Sequence, residues 1–182
     1  MTTTTLTSWH AAVLNALRAL PFVRRAEHYP EDLQTPLETP CVLLSLDDWE
    51  NAGRASGETE VELAASLHLV CDKSAAGEPA PEVYARELAA QLSQWVNGHT
   101  FGLPDMSPAV FTTAQRDGFD PSLDGYIVMR VDFVQRLALG PDLFERTGAP
   151  LKQVMLGRAP EIGAAHAEKY IPLPDNFPGS RP

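Results

Sequence analysis

The chain has 182 residues, of which 44% are hydrophobic, which suits one domain with an ordinary core, alone or with an appendage. Its formal net charge of −10 disfavours binding to nucleic acids and to anionic membrane surfaces, because proteins hold these polyanions mainly with Lys and Arg. We expect no signal peptide and no membrane span, since the apolar runs are short and the first residues lack a basic region.

A helix is the first predicted element. Thr7 or Ser8 can cap its N-terminus, and Pro21 stops it. Its apolar residues recur at steps of three and four and form one stripe: Leu6, Trp9, Val13, Ala16, Leu17 and Leu20. The weaker alternation of residues 22–29 predicts a strand at a sheet edge, and the prolines of residues 30–40 predict a loop.

Two strands are predicted next, and the second is the longest element before the second helix. Residues 41–46 form a short apolar run between turn signals, which is typical of a central strand. Residues 60–72 alternate with a period of two. One face of this strand is apolar and carries Val61, Leu63, Ala65, Leu67, Leu69 and Cys71. The other face, with Glu62, Ser66 and His68, is predicted to be polar and solvated.

Three residues in this region are interpreted as parts of the core. Residues 47–57 are polar and are predicted to connect the two strands, yet they include Trp49. We expect Trp49 to cover the core, with a subunit contact as the alternative. Cys41 and Cys71 lie in apolar strand patterns and are interpreted as reduced core residues, while a disulfide would require adjacent strands in register.

A helix and two strands complete the predicted domain. The helix runs from about Pro81, which suits a first helical position, to Val96, and Asn97-Gly98 ends it. Residues 109–116 and 126–139 alternate as strands, and the turn-rich residues 117–125 join them as an antiparallel hairpin.

This element order predicts an α+β fold for residues 1–140. Both helices have a single apolar stripe, so we expect a two-layer sandwich of a mostly antiparallel sheet with the two helices on one face. Residues 141–182 lose all periodicity but keep spaced apolar residues, and seven of the 16 prolines lie after position 140. We interpret them as an extended C-terminal arm that wraps its own domain or a neighbour, with a short strand predicted at residues 151–156.

The usual catalytic motifs are absent from the sequence, including GxSxG, HExxH and the glycine-rich phosphate and dinucleotide fingerprints. His68 is a candidate general base, although a lone histidine on a polar face without a nucleophile is far more often surface. Asp117, Asp120 and Asp124 miss the ligand spacing of a calcium loop, so a turn-forming role is favoured. We therefore predict a protein that is not an enzyme and that uses no metal or cofactor.

Residues 6–139 resemble one known family in the order and length of their elements. The carriers are the helix WHAAVLNALRALP, the strand PCVLLSL, an acidic loop, the strand ETEVELAASLHLVCD, the helix VYARELAAQLSQWVNG and the strand DGYIVMRVDFVQRL. Together they are similar to the tail terminator, or tail completion, proteins of long-tailed bacteriophages, in particular the Mu-like group. The arm after Gly140 departs from the shorter members of that family.

The resemblance implies a structural virion protein that assembles as a ring, typically a hexamer. Such a ring caps the tail tube at its head-proximal end, stops tube polymerisation and meets the head-side connector, after assembly in the host cytoplasm. Its expected partners are further copies of itself, the tube protein and the connector, with DNA only passing through the lumen. The acidic charge fits a bore that DNA does not adhere to, so we expect the loops that face the lumen to be net negative.

The arm supplies the candidate interface residues. A closed ring needs two different patches on each subunit, and apolar residues on an extended arm can provide one of them. We expect the arm to anchor on an adjacent subunit or ring through five residues: Phe144, Leu151, Met155, Tyr170 and Phe177.

Three other functions stay open on the sequence. One is a different virion part, such as a head–tail joining or neck protein. Another is a non-viral binding module that uses the polar face of the sheet. The third is an enzyme with an acid-lined site near Asp47, His68 and Asp132.

Overall fold

The computed structural model describes residues 4–31, 36–53, 59–74, 79–104, 106–118, 120–140 and 154–172. The chain divides into two compact units, Met1–Glu145 and Arg146–Pro182, which are described separately. The first unit carries the sheet and both α-helices, and the second carries only short elements. Neither α-helix in the described ranges is long and apolar enough to cross a membrane.

The first unit is the predicted α+β sandwich. Its α-helices and strands are, in chain order, α1 (Leu6–Arg18), β1 (Arg25–His28), β2 (Cys41–Asn51), β3 (Thr59–Asp72), α2 (Pro81–Val96), β4 (Val110–Asp117) and β5 (Tyr126–Leu139). The strands form one sheet in the order β1-β2-β3-β5-β4. Only β1 and β2 are parallel, and β4 and β5 form the expected antiparallel hairpin. The bounds of α2 and β5 agree with the prediction.

The main core lies between the helices and one face of the sheet. The predicted apolar face of β3 is buried along its whole length, together with the inward residues of β5 such as Val131 and Phe133. The helices contribute their stripes, with Trp9 and Leu17 from α1 and Leu92 from α2 fully buried. Burial of each large apolar side chain stabilises the fold by about 1.5–3 kcal/mol, so this face holds both helices in place.

Gln135 is a polar residue at the centre of this core, with 1% of its surface exposed. Its Oε1 accepts a hydrogen bond of 2.8 Å from Nε1 of Trp9, and its Nε2 donates to the carbonyl oxygens of Ser107 and His99 at 2.8 and 3.3 Å. Buried polar groups are tolerated where they are paired in this way. Gln135 therefore ties α1, β5 and the loop before β4 together.

Several predicted boundaries were wrong. Helix α1 begins at Leu6 and is capped by Thr5 rather than by Thr7 or Ser8, and it ends three residues before Pro21. Strand β1 is shorter than predicted. Strand β2 extends to Asn51, so the first five residues of the predicted connection, 47–51, are strand, with a β-bulge between Leu46 and Asp48. A bulge inserts one unpaired residue, which disguised the strand pattern in the sequence.

The face of the sheet opposite the helices is not the solvated surface predicted from the sequence. Ser66 and His68 are buried there, and Val70 joins a second apolar cluster. The other buried members of that cluster are Leu37, Cys41, Leu43, Leu123 and Val128, with Tyr29 and Tyr126 packed against them. The chain segments after β1 and before β5 cover this end of the sheet, so only the opposite end of β3, around Glu60 and Glu62, matches the prediction.

The two cysteines are free and buried, as interpreted from the sequence. Strands β2 and β3 are adjacent, but Cys41 pairs with Val70 rather than with Cys71. The thiols therefore point to opposite faces of the sheet, Cys41 into the second cluster and Cys71 into the main core. A disulfide between them is excluded by this register.

The second unit contains a two-stranded antiparallel ribbon, β6 (Met155–Leu156) and β7 (Ile171–Pro172), and a 3-10 segment at Ala164–Lys169. The strand predicted at residues 151–156 is thus present at its last two positions, while residues 151–153 lie outside the described ranges. The exposed large apolar side chains of this unit are Val154, Met155, Leu156, Ile162 and Ile171.

Candidate functional site

A polar cleft of about 440 Å³ lies on the face of the sheet opposite the helices. Its lining residues are Tyr29, Ser45, Asp47, His68, Asp117, Asp120, Pro121 and Arg130. Strand register brings them together, because Ser45 pairs with Ser66 across β2 and β3, and His68 pairs with Arg130 across β3 and β5. Directly paired residues share a face of the sheet, so one row of polar residues results.

His68 and Asp117 form the innermost pair of the cleft. Nδ1 of His68 lies 2.9 Å from Oδ2 of Asp117, and only 9% of the histidine side chain is exposed. The ring of Tyr29 meets the imidazole edge-on, with centroids 4.8 Å apart. Burial lowers the pKa of His68 below its usual value, although the attraction of Asp117 opposes this shift. A neutral imidazole that donates from Nδ1 to Asp117 fits this geometry.

Asp47 is the acceptor at the centre of a second polar group. It lies at the β2 bulge and accepts hydrogen bonds from Ser66, from Ser45 at 2.7 Å and from Arg130 at 2.6 Å. Burial alone would raise the pKa of Asp47, but the two serine hydroxyls and Arg130 outweigh it and hold this pKa below its ordinary value. Nε of Arg130 also donates to Asp132 at 2.6 Å, so the guanidinium joins two carboxylates.

Tyr29 and Asp120 close the outer side of the cleft. The Tyr29 hydroxyl donates to Oδ2 of Asp120 at 2.8 Å, and burial followed by this contact raises the pKa of Tyr29. Asp120 also caps the 3-10 turn Pro121–Leu123, accepting from the backbone N–H of Ser122 at 2.9 Å. Asp120 therefore has the turn-forming role favoured by the sequence. In the described part of the chain, no group of three or more His, Cys, Asp or Glu residues is arranged to hold a metal ion.

The cleft unites two of the residues named for the alternative enzymatic site. Asp47 and His68 both line it, and Asp132 borders it through Arg130. Ser45 and Ser66 hydrogen-bond to Asp47 rather than to His68, so the histidine does not activate either hydroxyl in this arrangement. The network pairs its charges internally and holds β2, β3, β5 and the turn before β5 together.

The predicted interface residues of the arm are only partly described. Met155 lies on β6 with 42% of its surface exposed. Tyr170 packs inside its own unit, where its hydroxyl accepts from the backbone N–H of Gly163 at 2.6 Å. A Cβ at Gly157 would lie 2.7 Å from the Tyr170 ring, so this packing requires glycine. Phe144, Leu151 and Phe177 lie outside the described residues, and the interface role of all five stays a prediction.

The sheet has two open edges among its described strands. Strand β4 pairs only with β5, and most of its residues are exposed. At the other edge, β1 pairs with β2 only up to Leu44, so within the described residues β2 has no outer neighbour strand from Ser45 to Asn51. Backbone groups left open along a strand invite pairing with another chain.

Trp49 stands on the open half of β2 and is 52% exposed. It belongs to neither apolar cluster and does not pack against them, so the expectation that it covers the core was wrong. A large apolar residue in polar company is also typical of a subunit contact, the alternative weighed for Trp49, and that alternative stays a prediction. Its position on an open edge makes Trp49 a candidate for such a contact.

An apolar groove of about 520 Å³ lies near the other open edge, between α2 and β4. Ala89, Ala90, Phe111, Ala114 and Met129 supply its apolar lining, and the polar residues Arg86, Ser93, Gln94 and Asn97 also line it. Small residues on α2 and β4 leave this space open, a feature that the helical stripe alone did not reveal.

Comparison of the chain with protein-family models and with curated proteins gives no match.

Proposed function

We propose that the chain is a structural virion protein of a long-tailed bacteriophage. It forms a ring on the head-proximal end of the tail tube, ends tube polymerisation and joins the tail to the head-side connector. The observation that carries this proposal is the pair of unlike open edges on one sheet, β2 from Ser45 to Asn51 and β4. A head-to-tail ring requires two different patches on each subunit, and these edges provide them.

The element order supports the same function. The chain runs α1-β1-β2-β3-α2-β4-β5, which is the order that carries the resemblance to tail terminator proteins. The described arm adds a surface with five exposed large apolar side chains, which is unusual for a segment of 19 residues that functions alone. The net charge of −10 suits a bore through which DNA passes without adhering.

The experiment that tests this function is assembly of the purified full chain. We expect mass photometry to give one closed oligomer and negative-stain electron microscopy to show rings, typically of six copies. Added to polymerising tail tube protein, the rings should limit tube length. A chain that stays monomeric at high concentration, or that leaves tube length unchanged, contradicts the proposal.

A binding module is the second candidate, and the polar cleft favours it. Asp47, Asp117 and Asp120 outnumber the one arginine that lines the cleft, so a ligand there would be a small organic cation. Titration of the chain with alkylammonium and guanidinium compounds, followed by NMR shifts of residues around His68, tests this candidate. A monomer that binds such a cation favours the module, whereas a ring without binding favours the virion protein.

A further inference from the structure

We propose that Trp49 of one copy inserts into the groove between α2 and β4 of the next copy. The inference rests on the proposed ring and names its subunit contact. In this contact, the exposed tryptophan of a second copy of this chain fills the apolar groove of the first.

The backbone at Trp49 is held by the β2 bulge and by a local hydrogen bond. It follows the β2 bulge, and its backbone N–H donates to Oδ1 of Asp48 at 2.7 Å. Half of its surface is exposed, and it lies on the exposed half of β2, whereas the first residues of the strand, Cys41 to Leu44, are buried. Tryptophan buries more area than most residues and is enriched among the residues that dominate binding energy at interfaces. An exposed tryptophan on an open strand edge is therefore suited to fill a partner's groove.

The groove has the size and character to receive an indole ring. Its volume of about 520 Å³ exceeds that of one side chain, and alanine positions on α2 and β4 keep it open. Ala90 and Ala114 are exposed, so the groove is accessible in the single copy. Phe111 and Met129 provide an aromatic ring and a thioether against which an indole packs favourably.

Charge complements shape at this contact. Arg86 is the one charged residue among those that line the groove, and its side chain is 66% exposed with Glu82 at 4.0 Å. Trp49 is flanked by the acids Asp48 and Glu50, both exposed. Insertion of Trp49 brings these acids toward Arg86, which can pair with a carboxylate or stack on the indole. The charge pattern also disfavours a contact between two copies of the same edge.

The positions of the two patches give the contact a direction. Trp49 stands on β2 and the groove borders β4, which are separated by β3 and β5. The two strands are separated by three strand spacings, or about 14 Å, so the two patches lie toward opposite edges of the sheet. Each copy thus offers Trp49 at one edge and a groove at the other, and a heterologous contact of this kind builds a ring when its rotation closes.

Two single substitutions test the contact from its two sides. Trp49→Ala removes the inserted ring, and Ala90→Trp fills the groove, while both positions are exposed and leave the core intact. We expect each variant alone to be monomeric, with subunit affinity about 30-fold or more weaker, as for a tryptophan that dominates an interface. Trp49→Phe and Ala90→Ser are the matched controls and should retain rings. Unchanged circular dichroism shows that the variants fold.

Mixing the two monomeric variants gives the sharpest test. The Trp49→Ala chain keeps its groove and the Ala90→Trp chain keeps its Trp49, so one intact contact forms between them. We expect mass photometry to show dimers and no larger species.

A reversed charge pair tests the same contact. The single substitution Arg86→Glu should weaken the rings, and Arg86→Glu together with Glu50→Arg in one chain should restore them.

The outcomes separate this inference from the function on which it rests. If the unmodified chain forms rings and Trp49→Ala forms them equally well, the contact is wrong and the proposed function stands. The same holds if the mixed variants stay monomeric. If the unmodified chain itself never assembles, both the ring and the contact are overturned.

Discussion

At the scale of single residues, His68 shows how burial and a neighbouring charge compete for one proton. Burial disfavours the imidazolium, while Asp117 at 2.9 Å and Asp47 favour it and Arg130 opposes it. Burial prevails, and the pKa of His68 lies below its usual value. Burial, followed by the effect of the nearby His28, lowers the pKa of His10 as well. Burial lowers the pKa of His99 in the same direction, so the folded chain resists protonation of three histidines.

This resistance makes stability depend on pH in a defined window. The unfolded chain takes up protons as the pH falls through about 6.5, whereas the folded chain takes them up only at lower pH. Stability gained from the neutral histidines is therefore present above pH 6.5 and is lost as the pH falls below it. We expect urea unfolding to show a decline of at most about 1.4 kcal/mol per pH unit for each histidine.

The variant His68→Gln should reduce this decline, since glutamine keeps a donor for Asp117 but does not titrate. Ser45→Ala is the control, because it changes the same cleft without removing a group that titrates between pH 5 and 7.5. Equal slopes of stability against pH for His68→Gln and the unmodified chain would contradict the assignment.

Alternation along β3 predicted the buried apolar face correctly but placed Ser66 and His68 in solvent. Strand periodicity reports two faces, and it does not report what covers the second one. The covering residues, Tyr29 and Leu123, come from loops distant in sequence, and Asp117 reaches His68 from β4. Contacts of this kind depend on topology, so the polar cleft was not predictable from the local pattern, although four of its lining residues, Asp47, His68, Asp117 and Asp120, were named separately.

At the scale of elements, α2, β3 and β5 were predicted well because each has a strong period and clear end signals. The prediction for β2 was too short because the bulge interrupts the alternation of side chains and because Asp48 and Glu50 are not typical of strands. The start of α1 was misplaced because Thr5, Thr7 and Ser8 are all acceptable caps by residue type. Only the structure distinguishes them, by the reciprocal hydrogen bonds between Thr5 and Ser8.

The cap of α1 yields a prediction at this scale. Oγ1 of Thr5 accepts from the backbone N–H of Ser8 at 3.1 Å, and the Ser8 hydroxyl accepts from the backbone N–H of Thr5 at 2.9 Å. Thr5→Ala should lower the free energy of unfolding by about 1 kcal/mol, because helix donors lose a partner. Thr7→Ala is the matched control and should change it by less than about 0.5 kcal/mol. Equal effects in urea unfolding would show that the cap is misassigned.

At the scale of the whole molecule, the sandwich and the arm are separate units with different construction. All helices and strands of the sandwich precede Gly140, and its core draws on α1 and β5 alike. The arm has no buried large apolar side chain among residues 154–172. This exposure fits the proposed anchoring of the arm on a neighbouring copy, which would bury these side chains.

Truncation after Gly140 tests this division of roles. We expect the shortened chain to keep the circular dichroism spectrum and the cooperative thermal unfolding of the sandwich, because its core is complete. We also expect it to lose stable assembly, since the arm contact adds to the contact of Trp49. Met155→Asp in the full chain should weaken assembly in the same direction. A truncated chain that forms rings and completes tails would show that the arm has no part in assembly.

The burial of both cysteines has a practical consequence for following assembly with probes. Burial raises the pKa of Cys41 and of Cys71 to about 11, so at pH 7.5 both thiols are almost entirely protonated and unreactive. Maleimide dyes should therefore spare the native thiols of the folded chain. A cysteine introduced at an exposed position away from both proposed contacts, such as Ala11 on α1, would be the labelled site, and fluorescence could report subunit exchange without removal of either native cysteine.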